Sequence, residues 1–168
     1  MERIMFDTSV YGRLVKEEDV LNKVNDRRKT HEFVIYGAPL IRQELRATPK
    51  TALYGAKKLK ILLLNTYDSF IIKESQNLKF NKLIETLSKD YFLEYRKNRG
   101  NLSNEAMRND FTIIATATIY QLNVVISDDE TTMLSDKAIK SYVNVNKKYG
   151  MKDPQFKKYS EFKKELSR

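Results

Sequence analysis

Short apolar runs alternate along this chain with longer stretches in which apolar residues return every three or four positions. Arg3 to Phe6 reads as a short buried strand, and Asp7-Thr8-Ser9 after it can cap a helix. A polar helix is expected from about Leu14 to Arg27, then a second strand at Phe33–Tyr36 closed by Gly37 and Pro39. Leu40 to Ala47 reads as a helix ended by Pro49. Thr51 to about Leu64 reads as another, with Leu53, Ala56, Leu59 and Leu63 recurring. Asp68 to Lys73 fits a strand or an extended connection. Asn81 to about Tyr95 is helical in pattern, with Leu83, Leu87, Tyr91 and Tyr95 near one face. Ser103 caps a long helix through Tyr120. Asn123–Ile126 is a β-branched strand, and Thr131–Tyr149 a helix ending at Gly150. Gln155–Lys158 suggests an edge strand, followed by a last helix turn.

Short strands alternating with helices predict an α/β protein, a parallel sheet covered on both faces. With 168 residues, 41% of them hydrophobic, one domain over 1–168 is expected. Its helix-rich middle, about 50–100, is either an inserted subdomain or a helical flank.

There is no cysteine, which excludes disulfides, thiolate metal sites and cysteine nucleophiles and fits a reducing, cytoplasmic interior. No apolar stretch approaches the ~18 residues of a membrane span. The single histidine, His31, sits in a polar run, so histidine-based triads are nearly excluded. Only five glycines are present and no phosphate loop, which weighs against nucleotide-binding folds.

The net charge is +9, from 31 Lys and Arg against 22 acids, and Lys137–Arg168 carries ten basic residues against three acids. Such an excess suits a nucleic-acid partner, although a lysine-rich solubilising surface gives the same sum. Against that background four acidic signals stand out. Asp7 ends Ile4-Met5-Phe6, and Asp128 and Asp129 follow Val124-Val125-Ile126. Glu44 lies within Leu40–Leu45. Asp110 shares a helix stripe with Ala106, Met107, Ile113, Ile114 and Ala117. Taken singly, Asp7 and Asp128 or Asp129 can be helix caps. Asp110 can be one half of a buried ion pair, and Glu44 a surface residue beside Arg42 and Arg46. In a parallel sheet, however, acids after adjacent strands converge where ligands bind. Crowded carboxylates repel, and oxygen-only ligands suit Mg²⁺ or Mn²⁺. Such a centre polarises a phosphodiester and lowers the pKa of water.

These segments resemble the PIN domain, and within it the VapC-type ribonuclease toxins. The resemblance rests on Ile4-Met5-Phe6-Asp7-Thr8-Ser9-Val10, on Glu44, on Asn109–Ala117 and on Val124–Asp129. The tail, Val145–Gly150 and Asp153–Phe156, resembles archaeal members, whereas 50–100 supplies little match. The resemblance implies a Rossmann-like three-layer α/β/α sandwich with a short-stranded parallel sheet. It also implies a metal-dependent endoribonuclease of single-stranded RNA. Asp7, Glu44, Asp110 and Asp129 would be the catalytic acids. Asp7, Asp110 and Asp129 would hold Mg²⁺ or Mn²⁺, with Asp128 a substitute for Asp129. Thr8, Ser9 and Ser127 would orient the carboxylates. Arg96, Lys97, Arg99 and Tyr11 are the candidate RNA contacts. An antitoxin protein and a homodimer are the partners the resemblance suggests. The alternatives are an RNA-processing nuclease outside any toxin–antitoxin pair and a non-catalytic RNA-binding module.

Overall fold

The computed structural model describes residues 1–168. The two most apolar short runs form the middle of its sheet. Strand β1 (Glu2–Phe6) pairs in parallel with β5 (Val124–Ser127), with Ile4, Met5 and Phe6 opposite Val124, Val125 and Ile126. All four residues of β5 are buried, as a central strand covered on both faces requires. β2 (Phe33–Tyr36) pairs with β1 on its other side, and β6 (Gln155–Lys158) with β5. The order is β2-β1-β5-β6, all parallel. The chain leaves β1 toward β2 and later returns to β5 on the opposite side. The carboxyl ends of β1 and β5 therefore flank the topological switch point, where open parallel sheets bind ligands.

Strand alternation sends Phe6 to one face and Met5 to the other. On the Phe6 side its ring meets Tyr11 of α1 (Thr8–Leu14), Phe70 of α4 (Leu59–Phe70) and Phe162 of α8 (Tyr159–Leu166), with centroids 5.5–6.1 Å apart. On the opposite side Phe111 of α6 (Asn104–Ile119) packs against Tyr91 and Tyr95 of α5 (Lys82–Lys97) and Tyr142 of α7 (Asp136–Lys148). Two aromatic clusters thus bracket the sheet, one per face, and give the three layers expected of a PIN-like α/β/α sandwich. Thirty-nine buried hydrophobic residues form one connected core. Two further helices complete the set, α2 (Glu18–Lys29) and α3 (Pro39–Arg46). No helix is long and apolar enough to cross a membrane.

Local chemistry moves several boundaries. The helix expected from Leu14 begins only at Glu18, as α2, and a separate helix, α1, ends at Leu14, opened by Asp7 accepting from the Thr8 N–H. Residues 51–58 are not helical. They make a hairpin of β3 (Leu53–Tyr54) and β4 (Lys57–Lys58), turned by Gly55 at φ +61°. The leucines at 59 and 63 belong to α4, which runs on through Phe70, so 68–73 supplies no strand. In α5 the inward face is Ile84, Leu87, Ser88, Tyr91 and Tyr95, while Leu83 is exposed. α7 starts at Asp136, capped by Ser135, and 131–134 is a turn. α8 is two turns long rather than one.

Candidate metal centre

Four elements deliver acids to the carboxyl edge of the sheet. Asp7 follows β1 and is buried. Its Oδ2 accepts from Ser9 Oγ and Ser127 Oγ, both at 2.8 Å, and its Oδ1 from the Thr8 N–H at 2.7 Å. Each serine is itself held: the Asp128 N–H donates to Ser9 Oγ and the Asp129 N–H to Ser127 Oγ, both at 3.0 Å. Backbone dipoles after β5 are thus relayed through two hydroxyls onto one carboxylate. Burial nevertheless raises the Asp7 pKa, against the pull of these donors.

Glu44 reaches the same edge from α3. Its Oε1 accepts from Thr8 Oγ1 at 3.2 Å. Burial first, and then the neighbouring charge of Asp7, raise its pKa, while Thr8 and the Asn109 side chain pull it back.

Asp110 sits two turns into α6, half-buried on the helix side facing the sheet edge. Its pKa is pushed up to about 7, chiefly by burial and further by the charges of Asp7, Asp129 and Glu44. Asp129 behaves in the opposite way. Burial raises it, but donors from Thr131 and Thr132 outweigh burial and lower it overall. Thr132 joins the two acids: its Oγ1 lies 2.7 Å from Asp110 Oδ2 and also contacts Asp129 Oδ2. One hydroxyl carries one proton and cannot donate to both. The pair is satisfied when Asp110 is protonated, or when a cation replaces the proton.

Asp128 behaves differently from Asp129. Its Oδ2 accepts from the exposed Arg13 Nε at 2.7 Å. As the side chains stand, no three acids are gathered tightly enough to hold an ion. The chemistry of the donor set still fits a hard divalent cation, with oxygen ligands only and mutual repulsion that a cation would relieve.

The candidate RNA contacts fare unevenly. Tyr11 is fully buried among Phe6, Tyr67 and Phe70, so its ring has no free face for a base; the apolar demand of the core has taken it. Its hydroxyl is buried without a hydrogen-bond partner. Arg96, Lys97 and Arg99 lie around the end of α5. The Arg96 guanidinium donates to the Gly100 carbonyl, and the Arg99 carbonyl accepts from Lys137 Nζ. Lys97 is exposed. Neither bond runs to an acid of the cluster.

Four residues escape sequence reasoning. Thr132 sits three residues after Asp129, and Thr131 two; an Asp followed in this way marks an Asx turn, the one available signal. Asn109 is noticeable only as the neighbour of Asp110. The Arg13–Asp128 pair spans the chain and leaves no local trace.

No protein-family model and no curated protein matches the sequence. Solved structures do match in fold. A chain of DNA-bound VapBC from Salmonella typhimurium aligns with a TM-score of 0.59 at 12% identity, covering 94% of this chain and 98% of that one. A chain of VapBC2 from Rickettsia felis, bound to a promoter DNA fragment, aligns at 0.55 and 13%, again covering 94% and 98%. A chain of FitAcB from Neisseria gonorrhoeae aligns at 0.52 and 17%, covering 81% and 93%. At such identities the likeness is one of fold.

Proposed function

We propose that this protein is a divalent-metal-dependent endoribonuclease of single-stranded RNA, built as the toxin of a toxin–antitoxin pair. The observation that carries this reading is the convergence of Asp7, Glu44, Asp110 and Asp129 at the switch point of the sheet, linked through the hydroxyls of Thr8, Ser127 and Thr132. Carboxylates gathered at a partly buried edge, with Asp110 and Glu44 raised by burial and by their acidic neighbours, are costly to ionise together and call for a counter-cation. Asp7, Asp110 and Asp129 would hold Mg²⁺ or Mn²⁺, with Glu44 completing the set. When bound, such an ion polarises a phosphodiester and lowers the pKa of water.

The chain's own residues have distinct parts. Ser9 and Ser127 fix the Asp7 carboxylate from two directions and hold its rotamer. Thr131 and Thr132 keep Asp129 ionised. Glu44, with its raised pKa, is suited to take a proton from the attacking water. Asp128 is committed to Arg13, which favours Asp129 as the fourth acid. The net charge of +9 would hold the RNA backbone. The likeness of fold to chains of VapBC and FitAcB supports an antitoxin partner, and the resemblance to VapC toxins suggests a homodimer.

The deciding experiment incubates purified protein with mixed-sequence single-stranded RNA in Mn²⁺, Mg²⁺ or EDTA, beside Asp110→Asn. Cleavage that needs metal and vanishes in the variant is expected. RNA that is bound equally in all conditions and never cut would make the protein a binding module instead.

A further inference from the structure

A second feature adjoins the acids. Between α3, α5 and the first turns of α6 lies a cleft of about 510 Å³, within the ~300–1,000 Å³ common for small-ligand sites. Its walls carry Gln43, Phe80, Lys89, Asn104, Arg108 and Asn109. Two of these connect it directly to the acidic cluster. Gln43 precedes Glu44, and Asn109 both precedes Asp110 and reaches Glu44 with its side chain.

The wall chemistry is selective. The Phe80 side chain is 58% exposed, although burying it would be favourable. It cannot drift freely, because the segment carrying it is pinned. The Leu78 N–H donates to the Gly37 carbonyl at 2.8 Å, and the Tyr120 hydroxyl to the Lys79 carbonyl at 2.9 Å. Arg108 is exposed and takes part in none of the chain's ion pairs. Gln43 and Asn104 are exposed, and their amides are not engaged with other side chains. The one acid on the wall, Glu85, is tied to Lys82 at 3.1 Å and Lys89 at 3.0 Å, which removes most of its repulsion toward an anion.

An aromatic face, a free guanidinium and unpaired amides are what a nucleotide of an unpaired strand needs. Bases stack on aromatic rings whatever their identity, a cation takes the phosphate, and amides read base edges. The geometry points to this cleft as the subsite for the nucleotide flanking the scissile phosphate of single-stranded RNA, with its base on Phe80 and its phosphate on Arg108. This assignment rests on the nuclease reading above. Gln43 and Asn104 then set the preference for one base over another, and stacking sets the preference for unpaired over duplex RNA.

The test measures binding of a fluorescein-labelled mixed-sequence single-stranded RNA by anisotropy. The full-length protein is kept in EDTA to prevent cleavage, across a salt series. Phe80→Ala should weaken binding about tenfold at every salt concentration, and Phe80→Trp should restore it. Arg108→Ala should weaken binding and lower the salt slope by about 0.7, one phosphate contact on a single strand. Both sites are exposed, so thermal midpoints should match the wild type. Wild-type binding by both alanine variants would overturn the assignment while leaving metal-dependent cleavage intact. RNA binding that depends on Phe80, with no cleavage in Mn²⁺, would keep the cleft as an RNA site and sink the nuclease. A wild-type protein that binds no RNA would sink both.

Discussion

Ser127 Oγ lies 2.8 Å from Asp7 Oδ2, so the last residue of β5 grips the residue that follows β1. The same hydroxyl accepts the Asp129 N–H. Ser127 is fully buried, so its removal leaves a buried carboxylate short of a donor and a backbone N–H short of an acceptor. Ser127→Ala should lower stability by roughly 1–3 kcal/mol, read from the urea midpoint of metal-free protein. An unchanged midpoint would show that the Asp7 carboxylate does not depend on this contact.

Asp110 predicts a pH dependence of stability. Its folded pKa, about 7, stands above the ordinary carboxylate value near ~3.9. Between those values the folded state binds more protons than the unfolded chain, so stability falls as pH rises. The contribution is fully present below about pH 4 and lost as pH passes ~7, on the order of 2–4 kcal/mol. Metal-free protein should therefore melt at a higher temperature at pH 5.5 than at pH 8. Mn²⁺ should raise the melting temperature more at pH 8, where the carboxylates are ionised and repel. Asp110→Asn should flatten both effects. Equal melting temperatures for wild type at the two pH values would contradict this account of the site.

Asp128 and Asp129 should separate cleanly. Asp129→Asn should reduce single-turnover RNA cleavage by at least about a hundredfold, as loss of a metal-ligating carboxylate does. Asp128→Asn breaks only an exposed pair with Arg13, worth under about 1 kcal/mol, and should leave cleavage near wild type. The reverse ranking would exchange their roles.

Tyr11→Phe removes a buried hydroxyl that has no partner. Deleting it should leave stability unchanged or raise it by up to about 1 kcal/mol, with RNA binding unaffected. A large loss of RNA affinity in this variant would argue that the helix carrying Tyr11 opens to expose the ring.

Gly37→Ala tests the packing beneath α3. A Cβ there would lie 2.2 Å from the Tyr67 hydroxyl oxygen and 2.7 Å from its ring carbon Cζ. Tyr67 is buried and bonded to the Ala38 carbonyl, so it has little room to yield. A loss of about 1–3 kcal/mol is expected from chemical denaturation.

Much of this architecture is legible in the sequence for a physical reason. β1, β5 and α6 are strongly apolar because they are buried, and burial writes itself into residue type. The four candidate acids are conspicuous for the converse reason, since carboxylates beside such runs are costly. The hairpin at 53–58 has no such signature: all four of its strand residues are exposed, so they show no alternation, and Leu53 falls into a helix period with Leu59 and Leu63 of α4. The turn at 131–134 runs straight into Ser135 and α7 and so passes for a helix start, and only its hydrogen bonds to Asp129 reveal what it does. Asp128 and Asp129 are chemically identical on paper. What separates them is the direction each side chain takes, which adjacent residues leaving a strand do not encode locally.

The strand order has a consequence for synthesis. β1 leads directly into Asp7, yet its central neighbour in the sheet is β5, which comes more than a hundred residues later, at Val124. A growing polypeptide that stops short of β5 has no Ser127 to grip Asp7 and no Asp129 to oppose Asp110. For the ribonuclease proposed above this would be a delay fuse: the acids could not assemble until β5 had been made, and the message being read would be spared until then.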